Sequence, residues 1–363
     1  MQWYKDPLFG VILLLGIIAC AVGIDLIRNK WREKKRLDSI DNLKKSYEFL
    51  GLQDGVEEFL SLSSNPIPTL EFIAKSYTQS GHIKEAIKIY ASMLEHTTHS
   101  KQKIQILYEL GNTYIAAGFL QRAKEVFLEI LSIYPRNIET LDCLLKVYER
   151  LGEHQNALHT LDTLEEVYEQ NNKQNEEYAN YISITRAYLQ SLAIYESTIN
   201  ISEKLHNLVQ IKSAFPKLER IILELCRELN NTFFWQEAQK AHSISNLFDI
   251  FWKYEKKNVP LNAIENPQIK TIYQAKGWLK DCANEDRAQS QLSKLQQFHL
   301  ALYTLLQKHS NLKADLHFEY HCAECNHTLP FYNHRCPNCN ALASLEVISK
   351  LSEHNNEMRN PIL

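Results

Sequence analysis

Turn-forming residues are scarce in this chain. Its 363 residues include 10 glycines and 10 prolines, under half of the roughly 12% that the two supply on average. Sandwiches, barrels and doubly wound sheets need turns at short intervals, so the shortage argues against all three and for a mostly helical protein. Neither sign of charge dominates. The 40 basic and 43 acidic residues leave a net charge of -3, too little basic excess to announce a nucleic-acid partner. The P-loop, G-x-G-x-x-G, G-x-S-x-G and H-E-x-x-H patterns are all missing, and the chain reads as a non-enzyme. What is present, 45% hydrophobic and 23% charged residues, suits a chain with a real core rather than a disordered one.

The N-terminus carries the longest apolar run. From Pro7 to Ile24 eighteen consecutive residues bear no charge, enough for a helix to cross a hydrocarbon core. Trp3, Tyr4 and Trp31 flank it where amphipathic aromatics sit at membrane interfaces. A cleaved secretory signal needs a basic start and a small-residue cleavage site. MQWYKDP offers neither, so an uncleaved anchor over 7–27 is expected. One basic residue, Lys5, precedes it and six follow, namely Arg28, Lys30, Arg32, Lys34, Lys35 and Arg36. That asymmetry predicts residues 1–6 outside, a basic juxtamembrane segment over 28–41 and the bulk of the chain in the cytoplasm. The same cluster favours the anionic headgroups of membrane lipids.

The middle repeats with a period near 34 residues. In one copy Leu107, Leu110, Gly111, Tyr114, Gly118, Ala123, Phe127, Ile130 and Pro135 stand at the spacing of a tetratricopeptide unit. Leu70, Ile73, Ala74, Tyr77, Gly81, Ala86, Tyr90 and Met93 repeat the order upstream, and Leu141, Leu144, Leu145, Tyr148, Gly152, Ala157, Leu161 and Leu164 downstream. Clear repeats are therefore expected over 67–100, 104–137 and 138–171, inside a tetratricopeptide α-solenoid spanning 42–310. Residues 42–62 read as a truncated opening unit, 165–180 as an extended helix and 218–245 as a degenerate unit. The segment 253–268, with Pro260 and Pro267, reads as a linker, and 269–310 as one or two helices. Stacked units present a binding surface. Its candidates are the residues of each first helix off the packing stripe, namely Glu71, Lys75, Tyr108, Asn112, Glu139, Asp142, Lys146 and Glu149.

Eight cysteines are unevenly placed. Cys20, Cys143, Cys226 and Cys282 are scattered and read as small buried hydrophobes. Cys322, Cys325, Cys336 and Cys339 form two C-x-x-C pairs ten residues apart, a metal-site spacing rather than a disulfide framework. Four thiolates supply a tetrahedral site for zinc or rubredoxin-type iron, one ion per chain. Asn326 and Asn340, each following a second cysteine, suit the left-handed turn such a knuckle requires. His321, His327 and His334 lie nearby, but four cysteines complete the shell. A module over 317–348 buries too little apolar surface to fold alone, so the metal contributes to folding. A polar tail over 349–363 follows.

The order of anchor, repeats and the ribbon YHCAECNHTLPFYNHRCPNCNALASLEVI, together with the phrase LGNTYIAAGFLQRAKEVF, resembles the lipopolysaccharide assembly protein B family. The resemblance implies an inner-membrane regulator of lipopolysaccharide synthesis that acts with other lipopolysaccharide assembly proteins. It also implies an adaptor bringing the deacetylase of the lipid A pathway to a membrane-bound ATP-dependent metalloprotease. The family's rubredoxin-type iron or zinc ligands carry over to Cys322, Cys325, Cys336 and Cys339. Two alternatives stay open: a scaffold for another envelope assembly complex, and a membrane-tethered rubredoxin-like electron carrier.

Overall fold

The computed structural model describes residues 66–97, 99–170, 176–280, 292–310 and 314–353. The expected anchor, basic segment, opening unit and the tail beyond 353 lie outside the described residues, as does the centre of the helix expected over 165–180. Among the described residues no helix is long and apolar enough to cross a membrane. The chain divides into two compact units, Met1–Val147 and Tyr148–Leu363.

The first unit holds α1 (Ile67–Gln79), α2 (Ile83–His96), α3 (Ser100–Ala116), α4 (Leu120–Ile133) and the start of α5 (Ile138–Arg150). The expected stripe is its core: Leu70, Ala74, Ala86, Tyr90, Met93, Leu107, Leu110, Ala123, Phe127 and Ile130 are all buried. Ile73 departs from the stripe, being 37% exposed on the first described helix. Each pair turns at a glycine for a physical reason. Gly81 and Gly118 have φ of 83° and 75°, a conformation that costs glycine nothing. At each, the next residue's N–H reaches back five residues, His82 to Tyr77 and Phe119 to Tyr114, both at 2.9 Å. That closes the carbonyl end of the helix. Gly111 serves close approach instead. A Cβ there would lie 2.5 Å from the Phe127 ring, so only glycine lets α3 and α4 pack at this spacing.

The second unit continues with α6 (His154–Gln170), α7 (Glu176–Glu196), α8 (Ile201–Ala214), α9 (Glu219–Leu229), α10 (Asn231–Ala238), α11 (Phe248–Lys253), α12 (Pro267–Ala275) and α13 (Lys294–His309). The glycine turn recurs at Gly152, φ 72°. Asn200, Asn230 and Asn266 cap helix starts through their side chains, and Ser293 with Gln296 forms a full capping box. Strands β1 (Ala314–Cys322), β2 (Thr328–Leu329) and β3 (Leu345–Glu353) form an antiparallel sheet ordered β2-β1-β3.

Two boundary expectations are corrected here. The segment 253–268 is not a linker. Val259 and Ile264 are 7% and 4% exposed, inside an apolar cluster shared with Phe234, Trp235, Phe251, Ile269 and Tyr273. Pro260 leads into a short 3-10 turn, Leu261–Ala263, and Pro267 opens α12. The metal ribbon is also longer than 317–348, because β1 starts at Ala314 and β3 runs to Glu353, with Ala314 opposite Glu353. The extra length has a reason: Leu316 is buried in the helical cluster, and Ala314, Phe318 and Leu351 pack against it. The ribbon therefore shares a core with α10–α13 rather than standing apart.

Candidate metal centre

Two turns of the same design bring the four cysteines together. In the first, the Cys322 N–H donates to the His327 carbonyl and the Asn326 N–H returns to the Cys322 carbonyl, both at 2.9 Å. In the second, the Cys336 N–H donates to the Ala341 carbonyl at 3.0 Å and the Asn340 N–H to the Cys336 carbonyl at 2.8 Å. Asn326 and Asn340 take φ of 58° and 61°, the left-handed turn that asparagine tolerates best after glycine.

The four Sγ atoms lie within 4.8 Å of one another. Cys322 and Cys339 are 3.6 Å apart, and Cys325 and Cys336 are 3.7 Å apart. A tetrahedron with metal–sulfur bonds of about 2.3 Å has edges of about 3.8 Å, whereas a disulfide needs about 2.05 Å. The thiols are free, with Cys322 and Cys336 buried, Cys325 half-buried and Cys339 exposed.

Their ionisation fits the same purpose. Burial resists charge on Cys322, but the Ser344 hydroxyl and the N–H groups of Cys325 and Glu324 bring its thiol down to about 6. The Asn338 side chain and the His327 N–H lower Cys325. The Ala341 N–H favours the Cys339 thiolate, yet desolvation and the other three thiols push it up to about 12. Four thiolates so close call for a cation between them. This donor set suits a tetrahedral zinc or iron ion and offers no fifth protein ligand. Two of the nearby histidines are engaged elsewhere. His321 contacts Thr328 and Asn326, each at 3.3 Å, and His334 contacts the Tyr188 hydroxyl at 3.3 Å and Glu224 at 3.6 Å.

The residues beside the knuckles tie the ribbon to helices of the same unit. The Arg335 Nε donates to both Glu149 carboxylate oxygens at 2.7 and 2.8 Å, and its Nη1 donates to the Asn340 carbonyl at 3.2 Å. Burial opposes the charge on Arg335, but Glu149 more than restores it and raises the guanidinium above its usual range. A second lock lies further along β1. Arg220 on α9 meets both oxygens of Asp249 at 2.7 and 2.9 Å, also reaching the Asn246 carbonyl, and the Tyr320 hydroxyl donates to Asp249 at 2.7 Å. The Arg220 guanidinium stacks 3.8 Å from the Tyr332 ring centre. Burial alone would raise the Asp249 carboxyl, but Arg220 and Tyr320 hold it below its usual range. Sequence reasoning missed both locks. The one signal was Asp249, an acid inside Phe248-Asp249-Ile250-Phe251-Trp252, which implies a buried partner.

The candidate groove residues take several roles. Lys75 bridges Glu71 and Glu109, both at 2.9 Å, and Gln105 donates to Glu71 at 3.2 Å. The two carboxylates, Glu71 first, hold Lys75 above its usual range. Cys143 Sγ lies 3.5 Å from the Tyr108 hydroxyl and 3.6 Å from Asn112 Oδ1. These contacts link neighbouring repeats in the first unit at intervals of 31 to 35 residues. Asp142 and Lys146 pair at 2.6 Å within α5, and Glu139 is exposed. Glu149, expected on an open groove, instead has an 11% exposed side chain and is taken by Arg335.

Residues 104–137 match the tetratricopeptide repeat family. Solved tetratricopeptide structures resemble the chain at low identity. A putative kinesin light chain from Podosopora anserina with nearly identical TPR-like repeats shows 17% identity over 49% of this chain and 93% of that one, with a TM-score of 0.34. A tetratricopeptide repeat protein from Parabacteroides merdae shows 18% identity over 58% and 87%, with a TM-score of 0.32. Among curated relatives the chain is similar to lipopolysaccharide assembly protein B of Escherichia coli K12, 26% identical over 159 residues, so the match spans 41% of either chain.

Proposed function

We propose that this chain is an inner-membrane adaptor in the control of lipopolysaccharide synthesis. In this reading the span over 7–27 anchors it, with the bulk of the chain in the cytoplasm. The repeats hold the lipid A pathway deacetylase near a membrane-bound ATP-dependent metalloprotease, alongside other lipopolysaccharide assembly proteins. Similarity to lipopolysaccharide assembly protein B supports the pathway, and the repeats support a protein-binding role. Confinement to one membrane raises the partners' effective concentration, so modest affinities suffice for delivery.

The observation that carries this reading is the similarity to lipopolysaccharide assembly protein B, and the Arg335–Glu149 pair gives the metal ribbon its bracing role. That pair ties the residue next to Cys336 to the end of the third repeat's first helix. Cys322, Cys325, Cys336 and Cys339 would hold one zinc or iron ion, whose contribution is a structural cross-link between the two knuckles. Around it, Arg335 orients the second knuckle against Glu149, and Tyr320 fixes β1 to Asp249. A site built this way braces a binding scaffold and works equally with either metal. Crosslinking in intact membranes, followed by recovery of the full chain and identification of attached proteins, tests the proposal. Recovery of the deacetylase together with the protease supports it, and recovery of a different envelope complex supports the general-scaffold reading.

A further inference from the structure

Helix α13 is apolar on two opposite sides. Leu300 and Tyr303, with Gln296, face the second unit's core at 3%, 8% and 1% exposure. The opposite side carries Leu295, Phe298, Leu302 and Leu305, at successive spacings of three, four and three residues, which is one stripe of an α-helix. Three of these stand in solvent, at 47%, 60% and 55% exposure for Leu295, Phe298 and Leu305. A helix lying on a globular core ordinarily turns polar residues outward, so a second apolar stripe signals a further surface to be covered.

The charge on the helix indicates what covers it. Residues 294–309, KLQQFHLALYTLLQKH, contain no aspartate or glutamate. Lys294 opens the helix, Lys308 and His309 close it, and all three are exposed. An apolar ridge bounded at both ends by cations, with no carboxylate along it, complements a bilayer surface. Leu and Phe side chains enter the acyl boundary there, while the lysines reach back to anionic headgroups. We infer that α13 is a lipid-docking ridge, binding an anionic membrane surface through Leu295, Phe298, Leu302 and Leu305 with Lys294 and Lys308 at its flanks. The inference rests on the proposed anchoring of this chain at a membrane, and it adds a second membrane contact near the C-terminal sheet, far in sequence from the first. Two contacts would set the orientation of the second unit to the bilayer.

The test uses the full chain in nanodiscs containing a photoactivatable phospholipid, with either an anionic phosphatidylglycerol-rich or a purely phosphatidylcholine background. Lipid-modified peptides are then mapped by mass spectrometry. The inference predicts modification within 294–309, at least fivefold stronger in the anionic discs. It also predicts loss of that modification in the Phe298→Glu, Leu305→Glu double variant, with an unchanged melting temperature because both side chains are exposed. Peptides from 7–27 act as the internal reference. Lipid adducts there but none in 294–309 overturn this inference and leave the anchoring intact, whereas no adduct in either region overturns the anchoring itself. Equal labelling in both backgrounds overturns the electrostatic selection. Protein–protein crosslinks through residue 298 in place of lipid adducts would assign the ridge to a second copy or another protein and overturn it.

Discussion

Arg335 Nε sits 2.7 and 2.8 Å from the two carboxylate oxygens of Glu149, across 186 residues of sequence. Both side chains are nearly buried, at 10% and 11% exposure, so the pair is poorly screened and its loss leaves a charge without a partner. Breaking a buried pair from one side typically costs about 3–5 kcal/mol, whereas replacing both partners by apolar residues is often near neutral. Glu149→Ala should therefore destabilise the second unit strongly, and Glu149→Leu with Arg335→Met should recover much of the loss. Urea unfolding of the two variants, followed by hydrogen exchange in the 314–353 peptides, measures it. Equal loss in the single and double variants would contradict the buried-pair account.

Gly111 gives a packing test. Alanine there places its Cβ 2.5 Å from the Phe127 ring, and overpacking costs about 1–3 kcal/mol. Alanine's helix propensity returns up to about 1 kcal/mol. Net destabilisation of about 1–2 kcal/mol is expected in Gly111→Ala, and pairing it with Phe127→Leu should relieve part of it. Thermal melts of the single and double variants decide the point. A melting temperature raised by Gly111→Ala alone would show that the α3–α4 contact yields easily.

Asp249 sets an acid limit. Burial raises its carboxyl, but Arg220 and Tyr320 outweigh burial and depress it. The unfolded carboxyl titrates near about 3.9. A depressed folded value means the pair's stabilisation is complete above that pH and drains away as pH falls towards the folded value. Asp249→Asn should be less stable than the parent at neutral pH, with the gap narrowing below about pH 4. Denaturant midpoints at a series of pH values test this, and a gap that stays constant down to pH 2 would show that the Asp249 charge is immaterial.

The metal should support more than its own knuckles. Native mass spectrometry of the reduced chain should show one ion, absent in Cys322→Ser or Cys336→Ser. Structural zinc contributes about 10–16 kcal/mol of apparent binding free energy in small peptides. The ribbon shares its apolar cluster with α11 and α13 through Leu316, Phe318 and Leu351, so loss of the ion should raise hydrogen exchange in 248–253 and 294–309 as well as in 314–353. Increased exchange confined to 320–345 would mean that the ribbon folds apart from the helices.

The repeats were legible because their cues are local. Gly81, Gly118 and Gly152 mark the turns, and Ala74, Ala86, Ala123 and Ala157 mark close helix contacts, each fully buried. The cysteine site was legible because its geometry lies within one stretch of chain, down to the left-handed Asn326 and Asn340. Contacts with no period were not legible. Nothing near Glu149 signals Arg335, and nothing near Arg220 signals Tyr332. Pro260 and Pro267 read as breakers, yet Pro267 opens α12, and the apolar Val259 and Ile264 were the sign of a packed segment instead of a linker. The end of the ribbon misled for a related reason. Ser349 is polar in composition yet fully buried, because His299 Nδ1 lies 2.9 Å from its hydroxyl.

The central claim is that this chain delivers the lipid A pathway deacetylase to a membrane protease, and the half-life of that deacetylase tests it most directly. The measurement is a chase after synthesis is blocked, in cells depleted of the full-length protein and in cells retaining it. Depletion should lengthen the half-life several-fold, re-expression should restore it, and a version lacking residues 1–27 should fold yet fail to restore it. An unchanged half-life on depletion would contradict the adaptor account.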